Sequence, residues 1–393
     1  MDGNSVYKAS ATQSFHLLEL SALMSVVLLL ANLAAGRIRI KKINLLISFL
    51  LFVYALIYLV VQWDTMNKIN FSSLFLVGLP CTYLLFSELY RKQKLIQLLE
   101  KLVNVVWFLG AMSLFFWFFG TVLNILKPNM SMYINWGSFS KINGYYGLHF
   151  QFQRETAFGI RFFRNSGIFT EAPMLNLWCN IAMAMELFLK EKSSGLKISV
   201  FVATILTTFS TTGLIFLVLC ISLKYYHKFA KMPRLAKGLL LLSLLLLIPV
   251  TAYALYALLE TKVSTVSFLM RASDYIGGIR LWQKHPVFGS GFGNLVPLLE
   301  YVYSPNGVAG FSNSITGVLA TGGIWMSLLY YFPHITAMFS RFTGNKSFSY
   351  FGICFFYLFV STIFFGRYLA IVMIALDLAI LIERSPQKHV AGN

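Results

Sequence analysis

The sequence predicts an all-α, polytopic integral membrane protein, with about eleven transmembrane helices in a single transmembrane domain over residues 1–393. Hydrophobic residues make up 58% of the chain and charged residues only 12%, which is about half the charged share of an average soluble domain. Apolar stretches as long as a membrane-crossing helix recur along the chain, and basic residues cluster between them. Both observations indicate a chain adapted to lipid.

Apolar stretches of about 20 residues mark the predicted transmembrane helices. They lie at 14–36, 43–62, 71–90, 103–125, 173–189, 239–258, 314–332, 350–365 and 368–382. The first stretch lacks the basic start and the small-residue cleavage site of a secretory signal, so we expect it to remain as a helix.

The positions of the basic residues predict how the chain is oriented in the membrane. The net charge is +18, and because many of these residues form short clusters between apolar stretches, the charge indicates membrane topology and no nucleic-acid partner. The clusters expected in the cytoplasm are Arg37, Arg39, Lys41 and Lys42; Arg91, Lys92 and Lys94; Lys190, Lys192 and Lys197; Lys224, Lys228, Lys231, Arg234 and Lys237; and Arg384 and Lys388. This orientation places the amino terminus outside and the carboxyl terminus inside.

Residues 198–222 allow two interpretations. One helix would fit the length, but it would carry the basic cluster at 224–237 to the outside, against the usual bias. Two short helices that fold back at 210–213 keep both flanking clusters inside, and the sequence Ser-Thr-Thr-Gly suits a turn at membrane depth. The alternative is one ordinary helix with a Ser/Thr patch. The hairpin brings the number of spans to about eleven.

Two long extracytoplasmic segments follow from this topology, at about 127–172 and 259–313. The first holds the charged residues Arg154, Glu155, Arg161, Arg164 and Glu171. The second holds Arg271, Asp274, Arg280, Lys284 and His285, followed by a glycine-rich stretch at 288–294. Outward basic residues oppose the topological bias, and a negatively charged ligand would explain them.

Each of these groups also has a purely structural interpretation. On a helix, Arg161 and Arg164 would share a face and meet lipid phosphates, and Arg271 with Asp274 would form an i,i+3 surface pair. The glycine-rich stretch does not follow the nucleotide-binding pattern GxGxxG after a strand. It is typical of a close-packed turn, whose backbone N–H groups would be available to an anion.

Metal and cofactor sites are not indicated by the sequence. The four cysteines lie in apolar stretches without CxxC pairs, and no histidines cluster at ligand spacing, so we expect no disulfide framework, no metal and no cofactor. Asp377 is a lone acid inside the last predicted span. We expect it to face the interior of the helical bundle, as the partner of a buried group or as a relay.

Four short motifs follow one another between residues 164 and 325. They are Arg-x-x-Gly-x-Phe with an acid and a proline at 164–173, Ser-Thr-Thr-Gly at 210–213, an Arg-led segment closing on Pro-x-x-Gly-x-Gly-Phe-Gly at 271–293, and Ser-Asn with a paired glycine at 312–313 and 322–323. In this order they resemble the superfamily of bacterial O-antigen polymerases and O-antigen ligases.

The resemblance implies a glycosyltransferase at the outer face of the bacterial cytoplasmic (inner) membrane. In this family a glycan carried on polyprenyl pyrophosphate is transferred to a hydroxyl of an acceptor sugar, without a metal. Arg164 and Arg271 match the two arginines that face the pyrophosphate, where a guanidinium fork suits the charge of the leaving group. The further substrate-binding candidates are Arg154, Arg161, Arg280, Gly291, Gly293 and Asn313.

The general base is less well defined. Ligases of the family carry His-Asn where this chain has Ser312 and Asn313, and a serine does not act as a base at neutral pH. This departure favours a polymerase over a ligase and moves the role of base to a carboxylate, Glu171 first and Asp274 second. Alternatively, Glu171 orients the acceptor or holds an arginine in place.

The expected function is therefore a surface-polysaccharide polymerase that acts on lipid-linked repeat units. The expected partners are the polyprenyl-pyrophosphate-linked oligosaccharide, membrane lipid, and chain-length regulator and flippase proteins. Two alternatives stay open: a ligase that moves finished glycan to another acceptor, and a lipid-glycan flippase or transporter, which would concentrate its ionisable groups at the bilayer midplane.

Overall fold

A computed structural model describes residues 4–10, 17–136, 138–157, 160–231, 233, 266–302, 310–340 and 345–383, and the fold of these residues is mostly helical. The helices with more than ten residues are α1 (Leu17–Ala34), α2 (Lys42–Val61), α3 (Lys68–Arg91), α4 (Leu95–Val122), α5 (Ala172–Leu189), α6 (Gly195–Thr207), α7 (Thr211–Lys231), α8 (Val266–Lys284), α9 (Ser314–Met338), α10 (Lys346–Ser361) and α11 (Tyr368–Ile382).

Six of the described helices are long and apolar enough to cross a membrane: α1 to α5 and α9. Each overlaps one predicted span, although α4 begins eight residues before the predicted start at residue 103. The sequence thus predicts the membrane-embedded helical class correctly. The total of eleven spans stays a prediction, and the predicted span at 239–258 lies outside the described residues.

The described basic clusters lie at one end of the helical bundle, where several of their residues form ion pairs. We call this end of the bundle the lysine end. Lys41 at the start of α2 lies 2.7 Å from Glu383 after α11, and Lys190 after α5 lies 2.8 Å from Glu100 near the start of α4. The Nζ of Lys224 in α7 donates to the carbonyl of residue 187. The described basic clusters therefore share one side of the molecule, as the charge pattern predicts, and their cytoplasmic location stays a prediction.

The stretch at 198–222 contains two helices. α6 ends at Thr207, the chain turns through residues 208–210, and α7 begins at Thr211. Lys197 near the start of α6 bonds Asn104 at 2.5 Å, and Lys224 near the end of α7 reaches the end of α5, so both flanks of the pair lie at the lysine end. The predicted helix break is confirmed, two residues earlier than the expected turn at 210–213.

Five β-strands in the described part of the chain correct the all-α prediction. The first predicted outer segment forms β1 (Met130–Trp136), β2 (Ser138–Tyr145), β3 (His149–Gln151), β4 (Arg154–Ala157) and β5 (Ile160–Phe163). They make an antiparallel sheet in the order β1-β2-β3 and a separate β4-β5 hairpin. Along β1, the more buried residues Met130, Met132, Ile134 and Trp136 alternate with the exposed residues Ser131, Tyr133 and Asn135, and this period of two fits a half-buried strand. We call this side of the molecule the β-sheet end.

The amino-terminal segment packs on these strands. Ser5 forms an antiparallel bridge with Phe169 and Ser10 with Ile134, and the N–H of Val6 donates to the carbonyl of residue 168 at 2.9 Å. Val6 is fully buried in a small apolar core that includes Ile134. The segment therefore covers the sheet and lies beside the motif at 164–173.

The glycine-rich turn after α8 packs into a break in α9. Gly323 has φ +63 and non-helical backbone inside α9, and Gly289 has φ +71, both in the left-handed region that favours glycine. A Cβ on Gly289 would lie 2.4 Å from the carbonyl carbon of Thr321, and one on Gly323 would lie 2.3 Å from the carbonyl oxygen of Val287. The predicted close-packed turn is confirmed.

Candidate functional site

Arg164 is the buried cation at the β-sheet end, with only 8% of its surface exposed. It follows β5 directly, and its Nε donates a 2.7 Å hydrogen bond to the carbonyl of Thr208, in the break between α6 and α7. Its Nη1 lies 3.5 Å from a carboxylate oxygen of Glu155 in β4. One edge of the guanidinium is thus anchored to the helix break while the other faces a partly exposed carboxylate.

Arg271 in α8 comes within electrostatic range of Arg164. The two residues are separated by more than one hundred positions, so the fold brings together two of the four residues expected to act in catalysis. Arg271 is exposed, and it also interacts electrostatically with Asp274 one turn later and with Tyr275. The fold therefore brings Arg271 of the second predicted outer segment within electrostatic range of Arg164 of the first.

Burial lowers the pKa of the Arg164 guanidinium, Glu155 and Glu171 raise it, and Arg271 lowers it again. Glu171, the third expected catalytic residue, therefore lies within electrostatic range of Arg164. Two guanidinium groups repel one another, and the repulsion is stronger for a group that has lost its water. Glu155 and Glu171 already offset part of this repulsion.

Asp274 completes the group on α8. It is buried, and its Oδ2 accepts a 3.0 Å hydrogen bond from the backbone N–H of Ser312. Burial raises the pKa of the Asp274 carboxyl, while the bonds with Ser312 and the charge of Arg271 oppose the rise. A raised pKa makes a carboxylate a better proton acceptor once it is ionised, so Asp274 fits the role of base.

Glu171 occupies the N-cap position of α5, where its side chain makes no capping hydrogen bond, and a residue of the sheet holds its carboxylate. Its Oε1 accepts a 3.1 Å hydrogen bond from the indole Nε1 of Trp136 at the end of β1. The same carboxylate lies near Arg164. These contacts fit the alternative in which Glu171 orients an acceptor or holds an arginine.

A buried polar network supports the chain beside Arg164. Asn165 donates from Nδ2 to the hydroxyl of Thr207 at 3.0 Å and accepts a hydrogen bond from Ser113 in α4. His149 in β3 lies 3.4 Å from the same serine hydroxyl, and burial lowers the pKa of His149 to about 3. The histidine is therefore neutral at physiological pH, and the network fixes the turn after β5 without adding charge.

Two other arginines of the first segment do not join Arg164 in the buried site. Arg161 lies in β5, where its Cα partner is Thr156, so the expected shared helical face with Arg164 is wrong because the segment is a strand. Its side chain is exposed. Arg154 is also exposed, and its guanidinium lies 4.8 Å from the centre of the Phe163 ring. Both belong to the surface of the β4-β5 hairpin.

Arg280 is not brought to Arg271. The two are nine residues apart in α8, which at 100° per residue places them on opposite sides of the helix, and Arg280 is exposed. Arg280, which was expected as a third arginine of the site, therefore does not lie beside Arg271.

The glycine-rich turn keeps most of its backbone donors occupied. The N–H groups of Gly289, Ser290 and Gly291 donate to the carbonyls of His285, Ala320 and Thr321. The expected anion cradle is not formed by these donors, because the contacts that close the turn use them. Gly293 is exposed instead and lines an open depression of about 540 Å³.

Asn313 has a structural part in the start of α9. Its Oδ1 accepts 2.9 Å and 2.8 Å hydrogen bonds from the backbone N–H and the hydroxyl of Thr316, as expected of a helix N-cap. Its Nδ2 is buried and has no hydrogen-bond partner among the described residues. The predicted opening of a helix at Ser312 and Asn313 is confirmed.

Sequence reasoning missed Arg367, which lies between α10 and α11 at the β-sheet end. Its Nη2 donates a 3.1 Å hydrogen bond to Oδ1 of Asn4, and the carbonyl of Asn4 accepts bonds from the N–H and the hydroxyl of Thr170, next to Glu171. In the predicted topology Arg367 lies in the two-residue outward connection between the spans at 350–365 and 368–382. A basic residue there opposes the charge bias, and that signal would have identified it.

Asp377 in α11 faces the interior of the bundle, as predicted, and its partner is His334 in α9 at 2.5 Å. Both side chains are almost completely buried. The second carboxylate oxygen of Asp377 and the Nε2 of His334 have no hydrogen-bond partner in the described part of the chain. No group of three or more metal-ligating side chains occurs among the described residues.

The β-sheet end thus combines a buried arginine, an exposed arginine and three carboxylates, those of Glu155, Glu171 and Asp274, with a bundle of apolar helices. No protein-family model matches the chain, and no curated protein or solved structure matches it. The class that the fold defines is a helical, membrane-embedded protein.

Proposed function

We propose that the protein is a polysaccharide polymerase of the extracytoplasmic face of the bacterial cytoplasmic membrane. It transfers a glycan from polyprenyl pyrophosphate to a hydroxyl of an acceptor repeat unit. The observation that carries the proposal is that the charge of Arg271 acts on buried Arg164, although the two residues belong to distant segments of the chain. This pair of cations suits a pyrophosphate, whose charge grows as it leaves.

The transfer step assigns a role to each group. The acceptor oxygen forms a bond to the anomeric carbon, and the bond from that carbon to the pyrophosphate oxygen breaks with its electron pair on the pyrophosphate. Arg164 and Arg271 stabilise the charge that develops there. Asp274 takes the hydroxyl proton, because its raised pKa suits it to the role better than a fully solvated carboxylate. Glu171, held by Trp136, orients the acceptor.

Reconstitution tests this proposal. Purified chain in liposomes, supplied with the lipid-linked repeat units of the source cells, is expected to produce a ladder of polymer lengths. A matched preparation of Arg164→Ala measures the background, because Arg164 contributes the buried half of the cation pair. Wild-type protein that leaves the repeat units unchanged, while they are consumed by membranes of the source cells, would remove the proposal.

One observation favours a second candidate, a flippase or transporter of lipid-linked glycan. The His334–Asp377 pair places two ionisable groups inside the helical bundle, each with an unpartnered atom among the described residues, and such groups are typical of transport pathways. In liposomes, transport of the lipid-linked unit that Asp377→Asn abolishes, without any polymer, would favour this candidate. Polymer formation that tolerates Asp377→Asn favours the polymerase.

A further inference from the structure

The end of α10 is hydrogen-bonded both to the start of α7 and to α8. The hydroxyl of Tyr357 in α10 donates a 3.1 Å hydrogen bond to the carbonyl of Thr212, in the first turn of α7. The hydroxyl of Tyr275 in α8 donates a 2.6 Å hydrogen bond to the carbonyl of Val360. Tyr357 and Val360 are only about 4.5 Å apart along the axis of α10, so less than one turn of this helix joins α7 to α8.

The hydrogen bond to Thr212 lies close to the anchor of Arg164. The guanidinium of Arg164 donates to the carbonyl of Thr208, and only three residues separate this carbonyl from Thr212. The start of α7 is also packed tightly against α5, because a Cβ on Gly213 would lie 2.2 Å from the Oδ1 of Asn176. The position of the Arg164 guanidinium therefore depends on where α7 begins.

The hydrogen bond of Tyr275 fixes the helix that carries Arg271. Tyr275 lies one turn after Arg271 in α8 and directly follows Asp274. Its acceptor, the carbonyl of Val360, is among the last four of α10, which have no partner within their own helix. The charge of Arg271 acts on the phenols of both Tyr275 and Tyr357. Both hydroxyls that hold α10 are therefore close to the exposed arginine of the site.

We propose that Tyr357 and Tyr275 are positioning residues, which set the distance between the two guanidinium groups of the arginine pair, Arg164 and Arg271. We call these two tyrosines and the turn of α10 between them the spacer. One hydroxyl fixes the helix break that anchors Arg164, and the other fixes the helix that carries Arg271. Because two like charges repel one another, the arginines need such a support to stay close enough to hold one pyrophosphate.

This inference rests on the proposed function and deepens it. In the transfer step the two arginines stabilise the same leaving group, so their separation must match it. A displacement of about 1 Å in a group that acts on the transition state costs up to about a hundredfold in rate. The spacer is therefore expected to affect the transfer step more than the binding of the substrate.

A tyrosine that only holds two helices together is the alternative, and the chain offers a matched control for it. Tyr54 in α2 donates a 2.5 Å hydrogen bond to the carbonyl of Trp325 in α9 and stacks on its ring at 4.5 Å. Tyr357 also combines its hydrogen bond with a ring contact, at 6.3 Å from Phe216. Both tyrosines are half-buried, but neither α2 nor α9 carries an arginine of the pair.

Initial rates of the full chain in liposomes, at varied concentrations of the lipid-linked repeat units of the source cells, test the spacer. Tyr357→Phe removes the hydroxyl and keeps the ring beside Phe216. It is expected to lower kcat about tenfold and to change KM less than about twofold, because misplaced cations weaken the transition state most. Tyr54→Phe is expected to keep the wild-type kcat and KM. Rates are compared at equal amounts of inserted protein.

A double-mutant cycle supplies a readout that a packing role would not change. If Tyr357 acts through the arginine pair, Tyr357→Phe/Arg271→Lys is expected to lose little more kcat than Arg271→Lys alone. Losses that multiply, or a loss of kcat from Tyr357→Phe no larger than that from Tyr54→Phe, would overturn the spacer and leave the polymerase standing.

The remaining outcomes keep the two proposals apart. Wild-type protein that makes no polymer would overturn the proposed function, and the spacer with it. If Tyr357→Phe fails to fold, Tyr275→Phe decides in the same cycle with Arg164→Lys. The expected result is again a loss of kcat of about tenfold that does not multiply with the loss from lysine, and multiplied losses would overturn the spacer.

Discussion

The guanidinium of Arg367 donates a hydrogen bond of 3.1 Å to the side-chain oxygen of Asn4, across 363 positions of sequence. This contact joins the amino-terminal segment to the connection between the last two described helices. Asn4 also accepts two bonds from Thr170, so one residue ties Arg367 to the motif at 164–173.

The Asn4–Arg367 contact predicts energetic coupling between the two ends of the chain. Asn4→Ala and Arg367→Ala are each expected to lower the free energy of unfolding by about 1–2 kcal/mol, because each removes a hydrogen bond to a charged group. The double variant is expected to lose little more than either single variant. Chemical unfolding in detergent measures all three, and fully additive losses would contradict the coupling.

At Arg164 and Arg271 we expect that a positive charge alone does not support full polymerase activity. Arg164→Ala and Arg271→Ala are expected to abolish polymer at normal protein level. Arg→Lys at either position is expected to cost about 1–3 kcal/mol in the transition state, or roughly tenfold to over a hundredfold in rate, since lysine keeps the charge without the fork.

Arg161 provides the matched control for the pair. It lies three residues before Arg164 but is exposed on β5, so Arg161→Ala is expected to cause a mild loss that lysine restores. Polymer ladders and protein levels for the alanine and lysine forms compare all three positions. Complete restoration by lysine at Arg164 and Arg271 would remove the catalytic assignment.

If Asp274 is the general base, we expect polymerase activity to fall at acidic pH. Because burial raises its pKa above the ordinary 3.8, the ionised base is lost as the pH falls through this raised value, and activity falls with it. Asp274→Asn is expected to lower the rate by about 10²–10⁴-fold, the usual contribution of a general base, and to remove this pH dependence. Initial rates of reconstituted protein between pH 4 and 8 measure this, and a variant that keeps both the rate and the pH dependence would assign the base elsewhere.

The turn at 288–294 predicts a sharp difference between two glycines. Gly289→Ala is expected to destabilise the protein by several kcal/mol, because its Cβ would meet the backbone of Thr321 at 2.4 Å in a left-handed conformation. Gly293 has φ +78 but nothing within 4 Å of its Cβ position, so Gly293→Ala is expected to cost only about 1 kcal/mol. Thermal unfolding in detergent compares the stability of the two variants. Equal losses of stability would show that the left-handed backbone conformation, and not the close contact with Thr321, determines the cost.

Arginine-based charge neutralisation predicts tolerance of chelation. Polymer synthesis by reconstituted protein is expected to persist in EDTA, since Arg164 and Arg271 supply the positive charge that a divalent cation provides in other transferases. Activity lost in EDTA and restored by Mg²⁺ or Mn²⁺ would contradict this role. Binding of the lipid-linked substrate is also measured in EDTA. If binding is retained while synthesis is lost, the metal is needed for the transfer step and not for binding.

The helices and the sheet differ in how far the sequence predicts them. Length and hydropathy identify α1 to α5 and α9, because a membrane span must be long and apolar, and the charge clusters identify the break between α6 and α7. The strands at 130–163 follow a shorter period that a search for long apolar stretches passes over. The helical interpretation of Arg161 and Arg164 failed for this reason.

The candidate site depends on tertiary contacts that local pattern does not contain. The resemblance pairs Arg164 with Arg271, and the fold brings them within electrostatic range. The anchoring of Arg164 by the carbonyl of Thr208 leaves no trace in sequence, since any residue supplies a carbonyl. The role of Asn4 is equally hidden, because residues 4–10 carry no periodic pattern.

The bridge from Ser5 to Phe169 has a consequence for biosynthesis. Residues 4–10 leave the ribosome well before residues 134 and 168–170, with which they pair, and the helices α1 to α4 are made in the interval. In the proposed orientation the amino-terminal segment crosses the membrane first and waits there without its partners. The β-sheet end is therefore assembled after translocation of both segments, and a delay in exporting either one leaves Val6 and its apolar neighbours open to chaperones and proteases outside the membrane.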